Sequence, residues 1–109
     1  MTINETLVEA IVHRITSVAQ PERIILFGSA STGKMTKDSD IDVLVLERHT
    51  QDQRGERLRI RQALEDLEHA FDIIVMPIDR FEETKTVIGG IAYPAHKYGR
   101  VVYEIPGRG

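Results

Sequence analysis

The sequence predicts an α/β fold, with a small mixed β-sheet of three to four strands flanked by helices. Short apolar runs of strand length alternate with segments in which apolar residues recur every three or four positions. The connections between these runs differ in length, so some neighbouring strands must be antiparallel and others parallel. At 109 residues the chain has the size of one domain, which we place at residues 1–104, with 105–109 as a frayed tail.

The composition excludes several classes of protein. The chain contains no cysteine, which rules out disulfides and thiolate metal sites, and no apolar run long enough to span a bilayer. Its N-terminus lacks the basic segment and apolar core of a secretory signal. A net charge of -3 provides no general attraction to nucleic acid. We therefore expect a cytoplasmic protein that binds neither a membrane nor nucleic acid directly.

The first predicted element is an amphipathic helix. Thr2 and Glu5 have the spacing of a capping box, and apolar residues then recur at helical intervals to about residue 19. Pro21 cannot continue a helix, because it lacks the backbone N–H that the next turn needs. The helix is therefore expected to end just before this proline.

Two strands follow. Residues 23–27 are almost entirely apolar and are typical of a buried strand, and residues 40–46 form a second such run. Only the ten residues 30–39 join them, too few for a helical crossover, so we expect an antiparallel pair. Antiparallel pairing would bring Gly28 and Asp40 to the same end of the sheet.

A second amphipathic helix and a third strand come next. Residues 51–70 carry apolar side chains at three-and-four spacing among charged ones, which predicts a helix with a solvated face. Residues 71–76 form the third strand. A helical connection of this length favours a right-handed crossover, which would make the second and third strands parallel.

The C-terminal part predicts two short helices and a last strand. Asp79 is a candidate N-cap for a third helix that extends to about residue 87. Pro94 is suited to begin a final helical turn, and Gly99 is suited to end it. Residues 101–103 then predict a short terminal strand.

The candidate functional residues lie at the end of the first predicted strand and at the starts of the second and third. Gly28 and Ser29 follow the first apolar run, and a glycine there allows the backbone to approach a bound phosphate closely. Asp40 and Asp42 are two positions apart, so both point to one face of a strand. Asp72 occupies the second position of its own strand, and the predicted topology places it at the same end of the sheet. Because like charges on one face repel, this pattern indicates a divalent metal between the carboxylates and a phosphate.

These residues together resemble the nucleotidyltransferase superfamily that includes DNA polymerase beta, and specifically its minimal single-domain members. That family has a Gly-Ser turn, an Asp-x-Asp strand and a third carboxylate on the next strand. The matching residues here are Gly28, Ser29, Gly33, Ser39, Asp40, Ile41, Asp42 and Asp72. The likeness covers essentially the whole chain, to the closing Tyr-Gly-Arg-Val-Val-Tyr. The ordered combination is more specific than either short motif alone.

The resemblance implies transfer of a nucleoside monophosphate, with AMP from ATP as the expected case, to a hydroxyl group. Asp40, Asp42 and Asp72 would be the catalytic and metal-binding residues for Mg²⁺, with two ions expected. The nucleotide-binding residues would be Gly28, Ser29, Gly33 and Lys34. This chain departs from the family pattern at one point. Related members often carry arginine in the loop after the Gly-Ser turn, whereas this chain has Ala30, Ser31 and Thr32 there.

The resemblance also implies a protein partner. Minimal members lack the extra domain with which larger relatives hold an acceptor, so the acceptor surface is expected to come from another protein. Many are paired with a HEPN-domain protein as toxin and antitoxin, and some such antitoxins transfer AMP to a tyrosine of the toxin. By analogy, this chain would be the antitoxin of such a pair.

Two other interpretations stand beside this one. The segment from Gly28 to Lys34 fits most of a P-loop, but a P-loop requires serine or threonine after the lysine and a helix directly afterwards, and Met35 follows here. The other alternative is a binding module that neutralises a partner by contact, with weak or no catalysis. Three retained acids favour the enzyme over the binding module.

Overall fold

The computed structural model describes residues 4–28, 40–48 and 52–106. Its centre is one sheet of four strands in the order β3-β2-β1-β4. The strands are β1 (Arg23–Phe27), β2 (Ile41–Glu47), β3 (Phe71–Pro77) and β4 (Arg100–Glu104). β1 is antiparallel to both β2 and β4, whereas β2 and β3 are parallel. The predicted mixed α/β fold and both predicted strand pairings are confirmed.

Helices cover both faces of the sheet. They are α1 (Glu5–Val18), α2 (Gln53–Ala63), α3 (Ile78–Thr84) and α4 (Ala92–Tyr98), with a 3₁₀ turn at Glu65–Leu67. α1 and α2 pack on one face, where Ile11 and Ile60 join Val43 in a buried cluster. α3 and α4 pack on the other face, where Phe81 and Ala95 join a second cluster. Within the described residues, no helix has both the length and the apolar character to cross a bilayer.

Two helix boundaries differ from the prediction because local caps decide them. The first helix begins at Glu5 because the Asn4 side chain caps it, accepting a 2.8 Å hydrogen bond from the Leu7 amide. The predicted capping residue, Thr2, lies outside the described residues. The second helix ends at Ala63, not at residue 70, because the chain tightens into the 3₁₀ turn and then reverses at Glu68, whose φ is 59°.

Both later helices begin earlier than expected, and the third also ends earlier. The third helix starts at Ile78 directly after Pro77, with no side-chain cap, so the predicted cap Asp79 lies inside its first turn. It ends at Thr84, three residues before the expected end at 87. The last helix begins at Ala92, with Pro94 inside it, and it ends at Gly99 as predicted.

An ion pair fixes the crossover that joins β2 to β3. Arg14 of α1 forms an ion pair with Asp66 in the 3₁₀ turn and donates a 3.1 Å hydrogen bond to the Ala63 carbonyl at the end of α2. This contact ties α1 to the end of the crossover just before β3 begins.

Candidate functional site

The end of the sheet where β1 stops and where β2 and β3 start is the site edge. In the strand register, Asp42 of β2 lies opposite Phe27 of β1 on one side and opposite Asp72 of β3 on the other. Residues paired across neighbouring strands project from the same face, and the strands themselves are about 4.8 Å apart. The two carboxylates are therefore direct neighbours on one face of the sheet.

This face is the one that α3 and α4 cover farther along the strands. Asp42 lies on the same face of β2 as Leu44 and Leu46, because residues two positions apart on a strand point the same way. Both leucines are buried beneath those helices. At the site edge the cover is incomplete, because Asp42 is partly buried whereas Asp72 and Asp40 are exposed. The arrangement gives an acidic surface whose base is apolar and whose outer side is open to a ligand.

Gly28 closes the site edge from the end of β1. Its φ is 67°, in the left-handed region that side chains other than glycine rarely adopt. A Cβ atom built at this position would overlap the Asp42 carboxylate at Oδ2. The backbone of Gly28 therefore lies directly against the carboxylate, and no larger residue fits without moving one of them.

The carboxylates influence one another electrostatically. Burial raises the pKa of Asp42 above its ordinary value, and the negative charges of Asp72 and then of Asp40 raise it further. Asp72 and Asp40 are thus close enough to Asp42 for their negative charges to oppose its ionisation. A cation placed among the three carboxylates would relieve this repulsion.

A divalent metal such as Mg²⁺ needs several hard oxygen ligands around one point. Within residues 4–28, 40–48 and 52–106, no three histidine, cysteine, aspartate or glutamate side chains are already grouped closely enough to hold a metal ion. The residues that do face one another are carboxylates, which are the hard oxygen ligands that Mg²⁺ prefers. The chemistry of Asp42 and Asp72 therefore fits magnesium, with Asp40 available beside them.

The remaining predicted site residues fall outside the part of the chain that the structure describes. These residues are Ser29, Gly33 and Lys34. Gly28, the first residue of the same predicted nucleotide-binding set, is described and lies against Asp42.

Sequence reasoning missed a second acidic feature, at the opposite end of β2. Glu47 closes that strand and is only 3% exposed, next to Glu56 of α2. An acid at the end of an apolar run is typical of a strand that emerges into water, so the pattern gave no sign of its burial.

Comparison with known proteins agrees with the fold. The model of the nucleotidyltransferase domain family matches residues 7–96. A solved toxin–antitoxin structure with AMP-PNP has a TM-score of 0.71 and 23% identity, covering 91% of this chain and 74% of that one. A mutant MntA–HpeT toxin–antitoxin structure has a TM-score of 0.66 and 21% identity, covering 95% and 76%.

A third solved structure is a tri-AMPylated HEPN toxin from Shewanella oneidensis in complex with its MNT antitoxin. It has a TM-score of 0.60 and 18% identity, covering 94% of this chain and 74% of that one. No curated protein matches the chain significantly in sequence. At these identities the solved structures establish the fold, and the family match spans the stretch of chain in which Gly28, Asp40, Asp42 and Asp72 lie. The chain belongs to the nucleotidyltransferase domain family.

Proposed function

We propose that this nucleotidyltransferase moves AMP from ATP to a hydroxyl group of a partner protein, with Mg²⁺, as the antitoxin of a HEPN/MNT pair. The hydroxyl oxygen would bond to the α-phosphorus, the bond to the β-phosphate would break, and pyrophosphate would leave. The observation that carries the proposal is the position of Asp42, which lies against the Gly28 backbone and opposite Asp72. A nucleotide phosphate would enter beside that glycine, and the carboxylates would face it from the sheet.

The three acids have distinct roles in this proposal. Asp40 and Asp42 share one face of β2 and would hold the metal ions between them and the triphosphate. Asp72 is the more exposed neighbour of Asp42, so it would complete a metal site and accept the proton from the attacking hydroxyl. When bound, two Mg²⁺ ions supply positive charge to the attacking and leaving oxygens.

The raised pKa of Asp42 has a consequence for pH dependence. A protonated carboxyl is a poor metal ligand, so transfer should decline as the pH falls through the pKa of this site. A nucleotide-bound metal would favour the ionised form and move that decline to lower pH.

The partner and the donor nucleotide are supported by similar proteins. One of the similar structures holds AMP-PNP, and another contains an AMPylated HEPN toxin bound to an MNT antitoxin. The same fold in this chain supports a HEPN-domain protein as the acceptor and ATP as the donor.

The test is transfer of label from α-labelled ATP to a co-expressed HEPN-domain partner. We expect labelling with Mg²⁺, none after chelation with EDTA, and none with Asp42→Ala. Asp79→Ala is the matched control, because Asp79 is an exposed aspartate of α3 on the described surface. If the partner is bound and neutralised by the Asp42→Ala variant while no label is ever transferred by either protein, the chain is a contact-only binding module.

A further inference from the structure

A groove lies at the end of the sheet opposite the site edge, where β2 stops. It has a volume of about 420 Å³ and is lined in part by Val18, Ala19, Glu47, Arg48, Glu56 and Arg59. We refer to it as the far-end groove. It shares no residue with the site edge and is built from the end of α1, the end of β2 and the first turns of α2.

Glu47 is the unusual residue of the far-end groove. The residue is only 3% exposed, yet within the described residues neither of its carboxylate oxygens accepts a hydrogen bond. An ionised carboxylate without a donor is costly to bury. Its neighbour Glu56 cannot supply a donor when both are ionised, so the pair needs a proton or a cation between them.

The arginines near Glu47 are already engaged with other acids. Arg48 Nε lies 3.3 Å from Glu22 Oε1, and Arg59 Nη2 lies 2.8 Å from Glu56 Oε1. Both guanidinium groups are largely exposed, at 70% and 54% of the side chain. Among the described residues, these two ion pairs join Arg48 to Glu22 and Arg59 to Glu56, and neither of them includes Glu47.

We propose that the far-end groove binds one organic cation, a guanidinium or ammonium group held between Glu47 and Glu56. A bare metal ion is the poorer fit, because two of the four charged side chains that line the groove are arginines, which repel a metal ion. The groove is also much larger than an ion, and Val18 and Ala19 give it an apolar wall suited to the carbon stem of an alkyl cation. The same chemistry is offered by a free polyamine and by an arginine or lysine of a partner protein.

A proton should compete with this cation. Burial raises the pKa of Glu47 to about 7, with the carboxyl of Glu56 adding to the shift and Arg59 opposing it. The charged groups that face this pair are Arg48 at the end of β2, Glu22 before β1, and Arg59 on α2. Because the ionised fraction of such a group rises about tenfold from pH 6 to pH 8, cation binding should strengthen about tenfold over that range.

The experiment is a titration of the full chain with methylguanidinium, followed by the ¹³C shifts of the glutamate carboxyl groups at pH 6 and pH 8. We expect a saturable change at Glu47 and Glu56, about tenfold tighter at pH 8. The Glu47→Gln variant should lose this response, whereas Glu83→Gln, at an exposed position of α3, should keep it. The absence of a saturable response, a response kept by Glu47→Gln, or a response to Mg²⁺ alone would overturn the proposal.

Two further arms identify the source of the cation and guard against a folding artefact. Spermidine binding at least tenfold tighter than methylguanidinium indicates a free polyamine, whereas loss of methylguanidinium binding in the complex with a partner protein indicates a partner side chain. Glu47→Gln should melt a few degrees higher than the parent at pH 8 and equally at pH 4, because the buried charge is then absent from both proteins. An Asp42→Ala protein should still bind methylguanidinium, so this proposal and the proposed transfer activity can fail separately.

Discussion

The Asp42→Asn protein should lose nucleotidyl transfer by about 10³-fold while becoming more stable in the absence of divalent metal. The activity falls because an amide is neutral and binds Mg²⁺ poorly. Stability rises because Asp42 is partly buried among like charges, and folding therefore costs free energy when this carboxyl is ionised. This one substitution should thus show that the Asp42 carboxylate is needed for transfer but lowers the stability of the fold.

The sign of the stability effect depends on pH. The folded-state pKa of Asp42 lies above its ordinary value, so the ionised group opposes folding at neutral pH and ceases to do so when it is protonated in both states. Thermal melting in EDTA should therefore show Asp42→Asn a few degrees more stable at pH 7 and equal to the parent near pH ~3. A variant that is less stable than the parent at pH 7, or that retains full transfer, would contradict this account of Asp42.

The second large effect is expected from Gly28→Ala. Its φ of 67° disfavours alanine by ~1 kcal/mol, and the added Cβ would overlap the Asp42 carboxylate. The carboxylate should be displaced from the site edge, so transfer should fall by about 10²-fold, since small misplacements of reacting groups are costly. Steady-state transfer assays with a melting curve on the same preparation would measure both effects.

Gly89→Ala is the matched control for this prediction. Gly89 also has a positive φ, of 117°, but a Cβ there would meet nothing within 4 Å. This control should lose stability through backbone strain and keep its transfer rate. Equal losses of transfer in the two variants would show that the effect at Gly28 arises from general destabilisation and not from contact with Asp42.

The strands and their pairing were predictable because the signals for them extend over several residues. Continuous apolar runs mark β1, β2 and β3, and the lengths of the connections determine which pairs are parallel. Helix boundaries were less predictable because single backbone contacts decide them. The cap of the first helix is Asn4, whereas the capping-box spacing pointed to Thr2. The crossover helix stops before the 3₁₀ turn and the left-handed Glu68, although apolar residues continue at helical spacing beyond it.

The candidate site was predictable to a similar extent. The topology alone implies that Asp42 and Asp72 lie at one end of the sheet, because they begin neighbouring parallel strands. The contact of Asp42 with Gly28 depends on the left-handed φ of Gly28, which the strand pattern does not report. Glu47 was missed altogether, since its burial comes from α1 and α2 packing over the end of β2, which no sequence pattern reports.

The central claim is that the carboxylates of the site edge bind a divalent metal beside Gly28. The most direct measurement is an NMR titration with Mn²⁺, whose unpaired electrons broaden the signals of nearby nuclei. The account predicts that substoichiometric Mn²⁺ selectively broadens the amides of Gly28, Asp42 and Asp72, and that Asp42→Asn abolishes the effect. Selective broadening elsewhere in the chain, or the same broadening in Asp42→Asn, would contradict the account.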